Sequence, residues 1–189
     1  FAQEDTIKDV DSLYKEDQFY AGVTYNLLGK KPDGLSQSGF STGFHFGFIN
    51  DMPLNKNRNV AIGIGLGYSI NSFNQNLLII KENTAGYSYN LLDGSNTYSK
   101  NTFYSNLIEI PIEFRWRTST PSEYDFWRIY AGFKLGYAVS NGAKFKGEPE
   151  SFKHKNISDF NNFQYGLTLS AGCNTWNIYD YIHLQKRDQ

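Results

Sequence analysis

Gly39-Phe40-Ser41-Thr42-Gly43-Phe44-His45-Phe46-Gly47-Phe48 alternates without a break. Phe40, Thr42, Phe44, Phe46 and Phe48 share one side, and Gly39, Ser41, Gly43, His45 and Gly47 share the other. Period two is the signature of a β-strand, because successive side chains point to opposite faces of the pleat. The polar side is as informative as the apolar one. Glycine and serine weaken a water-facing strand, whereas they leave room where a strand faces a crowded interior.

The same alternation extends in both directions along the chain. Upstream, Phe19, Ala21, Val23, Tyr25 and Leu27 share one face of a first strand. Downstream, Val60, Ile62, Ile64, Leu66, Tyr68 and Ile70 oppose Ala61, Gly63, Gly65, Gly67 and Ser69. A fourth strand sets Ile108, Ile110, Ile112, Phe114 and Trp116 against Leu107, Glu109, Pro111, Glu113, Arg115 and Arg117. A fifth sets Trp127, Ile129, Ala131, Phe133, Leu135 and Tyr137 against Arg128, Tyr130, Gly132, Lys134 and Gly136. A sixth sets Tyr165, Leu167, Leu169, Ala171 and Cys173 against Gln164, Gly166, Thr168, Ser170 and Gly172. The seventh, Trp176 to Leu184, is less regular, since Asp180 falls on its apolar side.

The connections alternate in length. Residues 29–38 form a medium loop, 49–58 a turn with Pro53, and 74–105 a long loop whose base can extend the flanking strands. Residues 118–125 form a turn with Pro121, 140–162 a long Lys-bearing loop, and Asn174-Thr175 a tight turn. Up-and-down strands put the long loops at one end and the turns at the other, the asymmetry of outer-membrane barrels. The expected fold class is therefore all-β: an up-and-down antiparallel transmembrane β-barrel of eight strands. Residues 1–18, with Asp5, Asp9, Asp11, Glu16 and Asp17, read as a polar periplasmic arm, and 19–189 as the barrel. Seven strands are legible, and a single-chain bacterial barrel needs an even number. Either the barrel is C-terminally incomplete or the strand count is off by one.

Composition agrees with this reading. Aromatics make up 17% of the chain and there are 17 Gly, as strand-rich proteins require. The formal charge of −1 gives no reason to expect nucleic acid as a partner. The longest purely aliphatic run is Leu77 to Ile80, far short of the roughly 20 residues a membrane helix needs. A mean hydropathy of −0.52 is compatible with a membrane barrel, where only alternate residues meet lipid. Phe1-Ala2-Gln3 fits the remnant of a cleaved leader about as well as an ordinary start.

Alternation alone does not decide whether the apolar face looks at lipid or at a protein core. A soluble lipocalin-like barrel has apolar residues inside. The Gly- and Ser-rich opposite faces favour lipid on the apolar side, which places Phe44, Phe46, Ile62, Ile64, Ile110, Ile112, Phe133 and Leu167 against outer-membrane lipid. Tyr68, Trp116, Trp127, Tyr137 and Tyr165, read as lying towards strand ends, suit an interfacial aromatic girdle.

The stretch Leu107-Ile108-Glu109-Ile110-Pro111-Ile112-Glu113-Phe114-Arg115-Trp116-Arg117 resembles a signature of the PorT-like outer-membrane barrel family. Tyr130-Ala131-Gly132-Phe133-Lys134-Leu135-Gly136-Tyr137 and Gly166-Leu167-Thr168-Leu169-Ser170-Ala171-Gly172 are similar to that family too. The resemblance implies an eight-stranded barrel in the bacterial outer membrane. It also implies a role in type IX secretion, which exports proteins and in some bacteria supports gliding, with other secretion-system proteins as partners. The chain departs from the family at Lys186-Arg187-Asp188-Gln189, which form no lipid-facing strand and carry no terminal aromatic.

Glu109, Glu113, Arg115, Arg117, Arg128 and Lys134 fall on the inferred interior face. They either line a charged lumen or form an ion-paired plug, and a barrel of about eight strands holds little more than side chains. Pro111 lacks a ladder donor and marks a bulge or bend. His45 stands alone among glycines, Cys173 is the single cysteine, and Gly63, Gly65 and Gly67 lack nucleotide-loop spacing. No catalytic, cofactor or metal residue is assigned. A non-enzymatic barrel acting through protein contacts is the leading expectation, and a small passive porin or ligand-binding barrel the alternative.

Overall fold

The computed structural model describes residues 17–29, 31–82, 86–93, 97–118, 127–148, 150–173 and 176–184. Of the expected arm at 1–18 only Asp17 and Gln18 are among them. The expected turn around Pro121, the Asn174-Thr175 turn and the Lys186–Gln189 terminus lie outside the described residues.

All regular structure is strand: β1 Gln18–Tyr25, β2 Thr42–Pro53, β3 Val60–Asn74, β4 Leu77–Lys81, β5 Tyr87–Leu91, β6 Tyr98–Arg117, β7 Trp127–Gly147, β8 Phe152–Lys155, β9 Phe163–Cys173 and β10 Trp176–His183. The main sheet follows the path β1-β2-β3-β6-β7-β9-β10, antiparallel throughout, with β8 added to the far end of β7 and β4-β5 forming a separate hairpin. It curls into a half-barrel. The seven strands of the main path coincide with the seven alternating stretches of the sequence. β1 and β10 form its two edges among the described residues.

β6 and β7 are 20 and 21 residues long, about twice the 9–11 residues that cross a bilayer as a tilted strand. Their character changes part-way. Over residues 107–117 of β6, every second side chain is buried, four of the six being charged, and the intervening Ile108, Ile110, Ile112, Phe114 and Trp116 are exposed. Beyond Leu107 the polarity inverts. Lys100 is exposed on the outward face and Phe103 is buried on the inward one. β7 inverts at the matching place, with Val139 exposed on one side of the change and Asn141, Ala143 and Phe145 buried beyond it.

A β-bulge sits at this change. Asn106 pairs with Ser140 but Leu107 pairs with Ala138, leaving Val139 as the extra residue. The inserted residue shifts which parity of β7 faces inward. The sequence reading placed a bulge or bend at Pro111 instead. Pro111 pairs in register with Lys134, so the β6–β7 ladder is undisturbed there. On its other side the β3–β6 ladder pairs Ile64 with Ile112 and then Gly67 with Glu109, skipping the proline without a change of register.

Several expected loops are strand. Ile49–Pro53 continue β2, so the turn spans only 54–59. The long loops at 74–105 and 140–162 contain the β4–β5 hairpin, the outer halves of β6 and β7, and β8. Tyr68 and Tyr137 consequently stand in mid-strand rather than towards strand ends. Tyr137 lies opposite Ile108, at the end of the outward apolar row of β6.

The outer halves of the strands close over a small apolar core. Ile79, Phe103, Ala143 and Ile157 are buried together, with Phe73, Tyr87 and Phe160 packed against them. Asparagine side chains tie the segments to one another. Asn76 accepts a hydrogen bond from the Ser36 amide at 2.7 Å and donates to the Gly34 carbonyl at 3.0 Å, while Asn141 accepts from the Ile157 amide at 2.7 Å. The long connections thus form a packed cap.

Candidate functional site: the charged interior

The largest fully buried side chains are Arg115, Arg117 and Asp51, followed by Ser41 and Ser69. A soluble protein buries aliphatic side chains and exposes charged ones. Here the convex face carries Phe44, Phe46, Ile64, Ile110, Ile112 and Leu167 exposed, with Ile62 and Phe133 half-buried on the same face.

Strand geometry brings the interior charges together. Glu109, Glu113, Arg115 and Arg117 are alternate residues of β6, so they point to one side. β2 delivers Asp51 to the same place. Asp51 receives Arg115 Nη1 at 3.2 Å on one oxygen and Arg117 Nη2 at 2.8 Å on the other. Arg115 also donates Nε to Glu113 at 3.1 Å and Nη2 to Gln18 of β1 at 2.9 Å, and lies 4.6 Å from the Tyr130 ring centroid. Arg117 Nε donates to the Arg58 carbonyl at 3.0 Å. Arg58 is in the left-handed region at φ 55°, within the 54–59 turn.

A second group lies further along the strands, towards the cap. Lys134 Nζ stands 3.1 Å from Glu109 Oε1, and Ser69 Oγ donates to the same oxygen at 2.8 Å. His45 Nδ1 is 3.5 Å from Glu109 Oε2, and its Nε2 is 3.1 Å from Thr24 Oγ1. Lys134 sits over two rings of β10, 4.3 Å from the centroid of Tyr181 and 5.4 Å from that of Tyr179. The two groups together hold three cations, Arg115, Arg117 and Lys134, and three carboxylates, Asp51, Glu109 and Glu113. Buried charges persist only when paired and hydrogen-bonded, and this arrangement pairs each with its opposite.

Glycines on the same face supply the space. A Cβ at Gly63 would meet the Arg115 side chain, and one at Gly67 would meet the Tyr20 hydroxyl. Five of the six charged residues expected inside meet the network as buried partners. The sixth, Arg128, is half-buried at the start of β7 and lies opposite Arg117 in register. Sequence reading missed Asp51, because Asn50, Asp51 and Pro53 together look like a turn. Continuing the Gly47-Ile49-Asp51 parity one step further was the signal that would have found it.

The sequence profile of the family described as "Outer membrane protein beta-barrel domain" matches residues 1–185. The chain belongs to this family. Its place is accordingly the bacterial outer membrane. The match is to the broad family of outer-membrane barrels and does not single out the PorT-like branch. No curated protein and no solved structure matches the chain. Outer-membrane barrel domains cross the bilayer with strands, and no helix of the described residues is long and apolar enough to cross a membrane. Among the described residues of this barrel, no group of three or more His, Cys, Asp or Glu is placed to hold a metal ion.

Proposed function

We propose that this outer-membrane barrel is a non-enzymatic component assisting type IX protein secretion, acting through protein contacts. The observation that carries the reading is the filled interior. Asp51, Arg115, Arg117, Glu113, Glu109 and Lys134 spend their charges on one another, and a small barrel filled with side chains holds little else. A barrel built this way contributes its surfaces. The resemblance of residues 107–117 to the PorT-like signature supplies the secretion context. The packed cap over β4, β5 and β8 offers rigid surfaces for contacts with other secretion proteins.

The test is deletion of the gene followed by proteomics of the culture medium. Type IX cargo is expected to remain in the periplasm of the deletion strain and to reappear outside on complementation. Undiminished export would refute the secretion role. Stable single-channel conductance in a planar bilayer would refute the filled interior and favour a passive pore.

A further inference from the structure

β8 adds to one side of β7 and, among the described residues, leaves its other edge open. The Asn156 amide donates to the Asn141 carbonyl at 2.8 Å, which fixes the phase of the β7–β8 ladder. Antiparallel pairs alternate between bonded and non-bonded. Phe152 and His154 therefore turn their backbone groups to Phe145 and Ala143, whereas Lys153 and Lys155 direct theirs away from β7. No hydrogen bond from another described residue reaches those outward-directed groups. The side chains of Lys153 and Lys155 are exposed. Lys153 lies directly opposite Lys144, an arrangement of like charges that destabilises a sheet. Among the described residues no carboxylate forms an ion pair with any of these three lysines. Lys153 Nζ lies 5.5 Å from the Tyr104 ring centroid, a contact that leaves its charge uncompensated.

The open edge is held from behind. Phe152 stacks on Phe145 with ring centroids 5.3 Å apart, and His154 Nε2 accepts from the Lys81 amide at 3.4 Å while its ring meets that of Tyr87 at 6.1 Å. The edge is thus fixed before anything binds, which lowers the cost of binding. β8 lies opposite residues 142–145 of β7, beyond Val139, the last outward apolar residue of that strand. At about 3.3 Å per residue and a tilt of about 35–45°, it stands roughly 7–16 Å above Val139. A headgroup layer about 5–8 Å thick ends near its lower end. Long connections mark the outer end of such barrels, so the edge faces the water outside the cell.

We infer that the β8 edge is a docking site for an extended acidic segment of a partner protein, which adds antiparallel to Phe152–Lys155 as a further strand. The inference rests on the reading that this barrel acts through protein contacts, and gives one such contact a place and a chemistry. A row of unpaired amide and carbonyl groups is matched in register by another polypeptide backbone. In an antiparallel addition, the residues opposite Lys153 and Lys155 share their outward face. Acidic side chains there meet Lys153 and Lys155, with Lys144 on the next strand. The intervening residues fall in line with Phe152 and His154, where apolar side chains fit. Lysine on a short edge strand repels a second copy of the same edge. The same charges admit a strand of opposite sign, so they select the partner.

The test uses the full chain in detergent micelles, with a short peptide alternating Glu and Val as the probe and one alternating Lys and Val as the control. The Glu peptide is expected to bind about 10-fold more tightly, because the Lys peptide sets like charges opposite one another. Amide hydrogen exchange is expected to slow at Lys153 and Lys155 on binding, and to stay unchanged at Phe152 and His154, whose amides already face β7. N-methylation at the Glu nitrogens, which face β8 in an antiparallel addition, is expected to abolish binding. N-methylation at the Val nitrogens, which face away, is expected to be tolerated. Lys153→Glu with Lys155→Glu should invert the preference towards the Lys peptide. If that variant does not fold, Lys153→Gln with Lys155→Gln serves, and a loss of about 3-fold in the affinity for the Glu peptide is expected. Binding retained by both N-methylated peptides would show attraction between charges alone and would overturn the inference. So would failure of the Glu peptide to bind, which would mean that the lysines only blunt an exposed edge. That failure removes this docking site, while the secretion role stands or falls with the deletion strain.

Discussion

Asp51 and Arg117 meet at 2.8 Å with neither side chain exposed, although 66 residues separate them in the chain. The pair joins the end of β2 to the end of β6, across β3. Asp51 is also the carboxylate that faces Arg115, so one acid stands between two guanidinium groups. Asp51→Ala leaves both cations buried with their shared carboxylate removed. Breaking a buried pair in this way costs about 3–5 kcal/mol. The expected result is a lower midpoint of urea unfolding in lipid vesicles, with the far-ultraviolet strand signal retained below the transition. A midpoint unchanged from the parent would show that the pair contributes nothing.

The outward apolar row of β6 runs from Ile108 to Trp116, with Ile112 at its centre. A charge on the lipid face of a barrel is penalised according to depth. Ile112→Arg is expected to cost about 2–4 kcal/mol and Ile108→Arg about 0–1 kcal/mol. Ile110→Arg should fall between them. Unfolding free energies in vesicles measure all three. Equal penalties would mean that the apolar row does not span the bilayer as its polarity pattern indicates.

The strands and their faces were legible in the sequence because period-two alternation is a local property. Phe44, Ile64, Ile110 and Leu167 each declare their side by their neighbours. Strand lengths were less legible. The outer half of β6 carries Lys100 and Asn106 outward and Phe103 inward, which reads as noise against the apolar-out pattern of the inner half. The strand continues there, beyond the end of its outward apolar row. The bulge at Val139 obscured β7 further, since one extra residue exchanges inside and outside for everything beyond it. An ion-paired interior was legible as a possibility, but its long-range partners were not. Asp51 reaches Arg115 and Arg117 only through the register of β2 on β3 and of β3 on β6, and that register is a property of the assembled sheet. The resemblance over residues 107–117 pointed to outer-membrane barrels, and the matching family profile establishes that level of identity.

Within the cap, the Tyr89 hydroxyl donates to Asp159 Oδ2 at 3.1 Å, tying β5 to the segment after β8. Partial burial, then the hydrogen bond to Asp159 and the charge of that carboxylate, push the Tyr89 hydroxyl up to about 12 from its ordinary 10.0. The raised value means that folding favours the neutral phenol. The contribution of this contact is therefore fully present below pH 10 and is lost as pH rises towards 12. Carbon-13 labelling at tyrosine Cζ, with Tyr89→Phe to assign the signal, is expected to show this late titration in micelles. Asp159→Asn should bring it back towards 10. An unshifted titration of Tyr89 would show that the tether is not formed.

Gly67 and Tyr20 provide a test of how closely the interior is filled. Gly67 faces inward on β3, and a Cβ placed on it would run into the Tyr20 hydroxyl oxygen from β1. Gly67→Ala is thus expected to destabilise by about 1–3 kcal/mol, the usual cost of overfilling a packed interior. The obstructing atom is the phenolic oxygen, whereas the ring carbon behind it would lie 3.2 Å from the new methyl. Tyr20→Phe removes that oxygen, so the double variant should be more stable than the sum of the two single effects allows. A coupling of at least about 0.5 kcal/mol in a double-mutant cycle, read from unfolding in vesicles, is the expected outcome. Simple additivity would mean that the side chain of Tyr20 does not approach Gly67, and that β1 does not fold its inward face over β3 as described.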